Sequence, residues 1–383
     1  MVLGRYIYNT KKNMSKYEDI LEKINPSDFK IPLNQTDKDY FPDFLEKRLV
    51  QYVNLYEEKF YPVIDQGIPF VPGSKDPVFS KIKLLTESLI KTVEYFYNGE
   101  ILKATETFNQ GMDKVFFKDL SILNFNTKVP VGQTFYRARI SEQRLFKRAD
   151  LFHINFNLRH LVSTNRYSIP GFPALYLGDT SYICWEEFDQ PELKNLNFSL
   201  FKNTRELNIV QLLRIEDLLA QLKGNKSEEI PFLLTYFVFF PLTLACSVRV
   251  RQVKGNFKPE YIIPQLLLQY INENPDYDGL KYSSSKVDYS KLHNMTTYNY
   301  VFPVKKIKAE GYCDNLENLF HCTQPTSLNL EEVVHNPVGA SHSMPVTADD
   351  RKIELIEDLR SPYTRTSFGK LEHNLKKRGI GKI

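Results

Sequence analysis

With 383 residues, 42% of them hydrophobic and 25% charged, the chain can bury a large core and is neither disordered nor fibrous. Its 50 basic and 46 acidic residues leave a formal charge of +4, too small a surplus on this length to argue for nucleic-acid binding. Four cysteines, Cys184, Cys246, Cys313 and Cys322, occur without a C-x-x-C spacing, which excludes a zinc ribbon or a disulfide framework and fits a reducing cytoplasm.

The first residues lack the apolar core of a signal peptide and run into Lys11, Lys12 and Lys16, so export is not expected. From Ser15 to Gly111 the pattern is helical. Phe44, Leu49, Val53, Tyr56 and Phe60 share one face, and Ile82, Leu85, Leu89, Val93 and Phe96 share another. Pro62, Pro69, Pro72 and Gly73 mark a break between the two stretches. Neither carries a catalytic constellation, which predicts a scaffold or docking region.

From Thr134 the texture changes to short β-prone runs at 134–140, 174–177, 207–213, 242–250 and 279–282, with helices predicted near Glu186, at 215–222 and at 260–272. The expected fold class is α+β, with a helical region over 1–127, a mixed-sheet domain over 128–330 and a partly flexible C-terminal extension over 331–383. The uncharged stretch Pro231 to Val248 is marginal for a bilayer crossing. Pro241, Thr235, Thr243 and Ser247 interrupt it, predicting a buried helix that ends near Pro241 and a strand through Thr243 to Val250. A surface linker is expected over His335 to Asp350, and the basic run Lys376-Lys377-Arg378 reads as a solvated terminus.

The residues suited to chemistry lie in the middle of the chain. In Phe135-Tyr136-Arg137-Ala138-Arg139, strand alternation points Arg137 and Arg139 the same way, a pairing suited to a diphosphate and equally to an ordinary charged sheet face. Asn165-Arg166-Tyr167-Ser168-Ile169-Pro170-Gly171 reads as a loop before the strand-like Ala174-Leu175-Tyr176-Leu177. Asp179-Thr180-Ser181 can cap the next helix, which carries Trp185-Glu186-Glu187. Adjacent helical residues diverge by about 100°, so only one of the two acids can face a cleft. Asp278-Gly279 turns into Leu280-Lys281-Tyr282 and then Ser283-Ser284-Ser285, hydroxyls that can bond a ligand or close the strand end.

Other chemistries find less support. His321-Cys322 near Cys313 lacks a fourth zinc ligand, so no metal is expected, and His153 and His160 read as packing or surface residues. Neither a G-x-G-x-x-G nor a G-x-x-x-x-G-K-[ST] loop occurs, which disfavours a Rossmann redox enzyme, and no G-x-S-x-G elbow is present.

In order, Tyr136-Arg137, the Asn165 to Gly171 loop, Ala174 to Leu177, Cys184-Trp185-Glu186-Glu187, Tyr261-Ile262-Ile263-Pro264-Gln265 and Asp278 to Ser284 resemble the RES family, named for its Arg, Glu and Ser residues, over roughly 130 to 325. The resemblance implies a fold similar to ADP-ribosyltransferase toxins and cleavage of NAD, a substrate rather than a bound cofactor, at its nicotinamide–ribose bond. Water or inorganic phosphate would be the acceptor, and an antitoxin is an expected partner; neither a membrane nor directly bound nucleic acid is. By position the family residues fall at Arg137, Glu186 and Ser284, with Glu186 preferred to Glu187. Arg137 and Arg166 would hold the diphosphate, Tyr167 or Tyr176 would stack on nicotinamide or shape its pocket, Ser284 would bond the ribose or amide, and Arg139 and Tyr282 are further binding residues. Transfer of ADP-ribose to a macromolecule would use the same cleft, and a non-catalytic nucleotide- or partner-binding module is the reading of a different class.

Overall fold

The computed structural model describes residues 17–36, 39–65, 78–115, 126–141, 146–222, 226–335 and 350–383. Most of the predicted linker, and the Pro69, Pro72 and Gly73 break, lie outside the described residues. The elements run, in chain order, α1 (Phe41–Lys59), α2 (Val78–Tyr97), α3 (Ile101–Val115), β1 (Asn126–Val129), β2 (Thr134–Ile140), β3 (Ala174–Gly178), α4 (Ser181–Glu187), β4 (Leu196–Asn203) and β5 (Leu207–Leu212). Then come α5 (Ile215–Gln221), α6 (Lys226–Cys246), α7 (Ile262–Glu273), β6 (Gly279–Tyr282), β7 (Leu292–His293), β8 (Asn299–Pro303), α8 (Asp314–Leu319) and β9 (Phe320–Thr323). The chain closes with β10 (Thr326–Ser327), α9 (Leu328–His335), β11 (Lys352–Ile356), β12 (Leu359–Pro362), α10 (Ser367–Lys376) and β13 (Ile380–Gly381). The class is α+β with a helical N-terminal region.

Two compact units form, and their boundaries correct the expected domains: 1–127 joins 211–270, and 128–210 joins 271–383. Residues 211–270 leave the sheet strands as apolar helices and join the aromatic faces of the lead helices. Phe60 and Phe237 rings lie 4.6 Å apart, and Tyr52 and Phe240 rings 4.9 Å. Phe44, Leu49, Tyr56 and Phe60 are buried as the periodicity predicts, and Leu45 and Tyr52 extend that face.

The strand expected over 242–250 does not form. Helix α6 continues through Pro231 and Pro241 to Cys246, and only Val248 makes an isolated bridge, to Leu33. Proline lacks the N–H that would bond the carbonyl four residues back. That carbonyl, Phe237 O, instead accepts from the Tyr52 hydroxyl at 2.7 Å, so the helix passes its proline with the acceptor satisfied. The window Glu229–Cys246 has the length and mean hydropathy (1.7) of a membrane span, and 78% of it is buried in the protein, as a core helix requires.

The second unit is built on a ten-stranded sheet of order β1-β5-β6-β8-β3-β2-β4-β9-β13, with β10 beside β4. On one face Tyr136 and Ala138 of β2 and Phe198 and Leu200 of β4 meet Ile183 and Cys184 of α4 and Phe368, Leu371 and Leu375 of α10. Helix α10 is therefore core, where the sequence predicts a partly flexible extension. On the other face the Phe135, Tyr300, Phe302 and Phe320 rings interlock, with centroids 4.7–6.1 Å apart.

Candidate functional site

The site begins where two neighbouring strands part. Strand β2 runs antiparallel to β4 over its whole length, from Thr134↔Lys202 to Ile140↔Leu196, yet meets β3 only at Tyr136↔Gly178. Beyond that bridge Arg137 Nη1 donates to the Tyr176 carbonyl at 2.7 Å, replacing a ladder bond. The remaining guanidinium is poorly compensated: its Nε is buried without a partner among the described residues. Burial, aided by Arg139, draws the Arg137 pKa down to about 10, the mark of a desolvated cation without a matching anion. Arg139 shares that face and is exposed, donating from Nη1 to the Asp150 carbonyl and lying 5.6 Å from the Phe146 ring.

Gly178 ends β3 because α4 crosses it at once: a Cβ there would stand 2.3 Å from Ile183 Cγ2. Thr180 is the cap, its Oγ1 accepting from Ile183 N at 3.2 Å. Asp179 turns back to the sheet and accepts from Tyr298 N at 2.9 Å and Thr297 Oγ1 at 2.8 Å. Burial still pushes its carboxyl up to about 7. At the start of α4, the Glu372 carboxylate of α10 accepts from Ser181 N at 2.7 Å, Ser181 Oγ at 2.9 Å and the Tyr363 hydroxyl at 2.6 Å.

The two acids at the end of α4 point apart, and it is Glu187, not the preferred Glu186, that meets Ser284. Glu186 is 6% exposed and accepts from Gln190 Nε2 at 3.0 and 3.1 Å and from the Tyr182 hydroxyl. Glu187 Oε1 is the atom that accepts from Ser284 Oγ, at 2.6 Å, and also from Asn299 Nδ2. Lys286 N donates to Ser284 Oγ at 3.0 Å, so the hydroxyl's own proton is directed at the carboxylate. Lys286 Nζ closes the helix end, donating to Glu187 O at 2.7 Å and pairing with Asp189 at 2.9 Å. Asp189 and Gln190 both take positive φ, 59° and 57°, which folds Gln190 back under Glu186.

Most of the remaining predicted residues are linked by contacts that run from Arg137 toward Glu187. The Tyr176 hydroxyl donates to Tyr167 O at 2.6 Å, and the Tyr167 and Tyr282 rings lie 4.2 Å apart. Arg166 Nη2 donates to Ser285 Oγ at 3.2 Å. Tyr282 pairs with Asn299 across β6 and β8, which sets the Asn299 amide beside Glu187. Asn299, Lys286 and Glu372 escape the sequence reading. Strand β8 went unrecognised there, although its run of aromatic and β-branched residues, Tyr300-Val301-Phe302, could have announced it.

His153 is a packing residue: its Nε2 accepts from Cys313 N at 2.9 Å, Nδ1 donates to Ile154 O at 2.8 Å, and burial pulls its pKa down to about 4. Among the described residues no group of three His, Cys, Asp or Glu side chains is placed to hold a metal.

In sum of its parts, the patch offers a fixed carboxylate, a buried guanidinium, a second arginine and three tyrosines, groups able to hold an anionic, ring-bearing ligand and to stabilise developing positive charge. The chain is 31% identical over 357 residues to "Putative toxin YopC" of Bacillus subtilis (strain 168), a match covering 89% of this chain and 77% of that protein. No protein-family model matches the chain, and no solved structure matches it.

Proposed function

The chain belongs to the family of that Bacillus subtilis protein, and from this kinship and the Glu187 cluster we propose that it is a toxic effector that consumes NAD in the cytoplasm by cleaving the nicotinamide–ribose bond. The observation that carries the reading is the Glu187 carboxylate, oriented by Ser284 and Asn299 and joined through Tyr282, Tyr167 and Tyr176 to the uncompensated Arg137. It is supported by the order of the Arg, Glu and Ser segments, which resembles the RES family with Glu187 in place of Glu186.

Departure of nicotinamide leaves positive charge on the ribose, an oxocarbenium-like state that a carboxylate stabilises. Glu187 takes that role. Ser284, whose proton goes to Glu187, positions the carboxylate. Arg137 and Arg166 hold the diphosphate, where a paired anion would remove the cost of the buried guanidinium. Tyr167, Tyr176 and Tyr282 wall the ring pocket. Water or phosphate then accepts the ribosyl carbon.

The test is nicotinamide release by the purified full chain incubated with NAD, with and without phosphate. Release by wild type and its loss in Glu187→Gln are expected. No release under either condition, or full release by Glu187→Gln, would overturn the reading.

A further inference from the structure

Strand β3 sets the groups of the site in a row. At its far end Gly178 pairs with Asn299, whose side-chain amide meets Glu187. Two residues back, the Tyr176 carbonyl accepts from Arg137. Two residues before the strand begins stands Phe172, half-buried and bridged to Ile169, with Phe172 N donating to Ile169 O at 2.9 Å. At about 3.3 Å per extended residue, the six steps from Phe172 to Gly178 cover about 20 Å. Phe172, Tyr176 and Gly178 are even steps apart, the period that puts side chains on one face.

Phe172 carries a cation. Arg159 lies in the exposed stretch 157–161, and its guanidinium carbon stands 5.9 Å from the Phe172 ring centroid. The guanidinium also lies across Gly171: a Cβ there would stand 3.6 Å from Arg159 Nη2 and 3.9 Å from Nε. Gly171 takes φ 70°, a turn that suits glycine. The same loop carries Arg166 and Tyr167, and Ser168 pins it, its Oγ accepting from Asn165 N at 3.0 Å and donating to Asn165 O at 2.9 Å. A guanidinium plane beside an aromatic ring, both open to solvent, is the kind of surface on which nucleobases stack.

We propose that Arg159 and Phe172 seat the base at the adenine end of the dinucleotide. The inference rests on the NAD reading for the direction of the ligand, with nicotinamide ribose at Glu187, diphosphate at Arg137 and Arg166, and adenine on the Arg159 and Phe172 platform. Cation and carboxylate follow the platform along β3 in the order that diphosphate and nicotinamide ribose follow adenine in the molecule. Contacts at the end remote from the breaking bond supply binding, so the platform acts on affinity before it acts on rate.

Calorimetric titration of the full chain with ADP and, separately, with pyrophosphate tells the base from the diphosphate. Wild type should bind ADP more tightly. Arg159→Ala and Phe172→Ala should each weaken ADP by roughly fivefold or more, the scale of one stacked base, and weaken pyrophosphate far less. Arg159→Lys keeps the charge and loses the plane, so it should weaken ADP as well. In nicotinamide release, Arg159→Ala should raise the KM for NAD with a smaller change in kcat. Equal affinity of wild type for ADP and pyrophosphate, undiminished ADP binding by Arg159→Ala or Arg159→Lys, equal weakening of both probes, or a lower kcat at unchanged KM overturns the proposal. If Phe172→Ala fails to fold, the variants of the exposed Arg159 decide. Nicotinamide release with ADP affinity intact in the Arg159 variants overturns the platform alone. ADP affinity lost in those variants, in a chain that releases no nicotinamide, overturns the NAD reading alone.

Discussion

Ser284 Oγ donates to Glu187 Oε1 across 2.6 Å and 97 residues of chain, whereas the neighbouring Glu186 is held by Gln190. Exchanging them is the sharpest test. Glu187→Gln should lower nicotinamide release by about 10²-fold or more, the scale of losing a charge aimed at the transition state. Glu186→Gln, which keeps partners in Gln190 and Tyr182, should retain most of the activity. Single-turnover rates of the two variants check this.

Arg137 is a cation in a desolvated place with an unpartnered Nε. Arg137→Met removes that charge and gives up the bond to Tyr176 O, opposing effects of about 1–3 kcal/mol each. The melting temperature without ligand should therefore move little, whereas the stabilisation conferred by NAD should vanish. Thermal unfolding with and without NAD measures both.

The single tryptophan reports on the C-terminal helix. Trp185 lies 5.5 Å from the Phe368 ring, and its Nε1 donates to Pro191 O at 2.8 Å. Phe368→Ala should cost about 3–5 kcal/mol and shift Trp185 emission to the red, because a buried ring is deleted beside the indole. Denaturant titration followed by tryptophan fluorescence reads both quantities.

Asp179 introduces a pH dependence. Its carboxyl rises from 3.8 to about 7 on folding, so between those values the folded chain holds the extra proton and stability falls as pH rises, levelling above about 7. Asp179→Asn keeps an oxygen for Tyr298 N and Thr297 Oγ1. It should melt higher than wild type at pH values above 7 and show a shallower decline from acid to neutral pH. Glu372, whose burial also pushes its pKa up, leaves a residual slope of the same sign.

The helix through Pro241 depends on Tyr52. Tyr52→Phe should cost about 1–3 kcal/mol by leaving Phe237 O unsatisfied, and less in a Pro241→Ala background, where a backbone N–H can take over. Urea unfolding of the four forms closes the cycle.

Several features were legible because they are local. The apolar periodicities marked the faces of α1 and α2, β-prone runs marked β2 and β6 with the observed bounds, and hydroxyls before Ile183 marked the start of α4 at Thr180. Local pattern also narrowed the acid that meets Ser284 to one of two. Which of them does so, the sequence alone could not determine, since Glu186 and Glu187 differ only by a rotation about the helix axis. That rotation is set by Ile183 and Cys184 packing on β2 and α10, and by Ser284 and Asn299 arriving from distant strands. The same holds for Pro241, a helix breaker by local rule until Tyr52 supplies the missing donor, and for residues 211–270, whose aromatic helices joined the lead helices across more than 100 residues of chain. Sequence determined the elements and the chemical groups; burial against partners far along the chain decided which groups meet, because side-chain contacts are short-ranged in space and unrestricted in sequence.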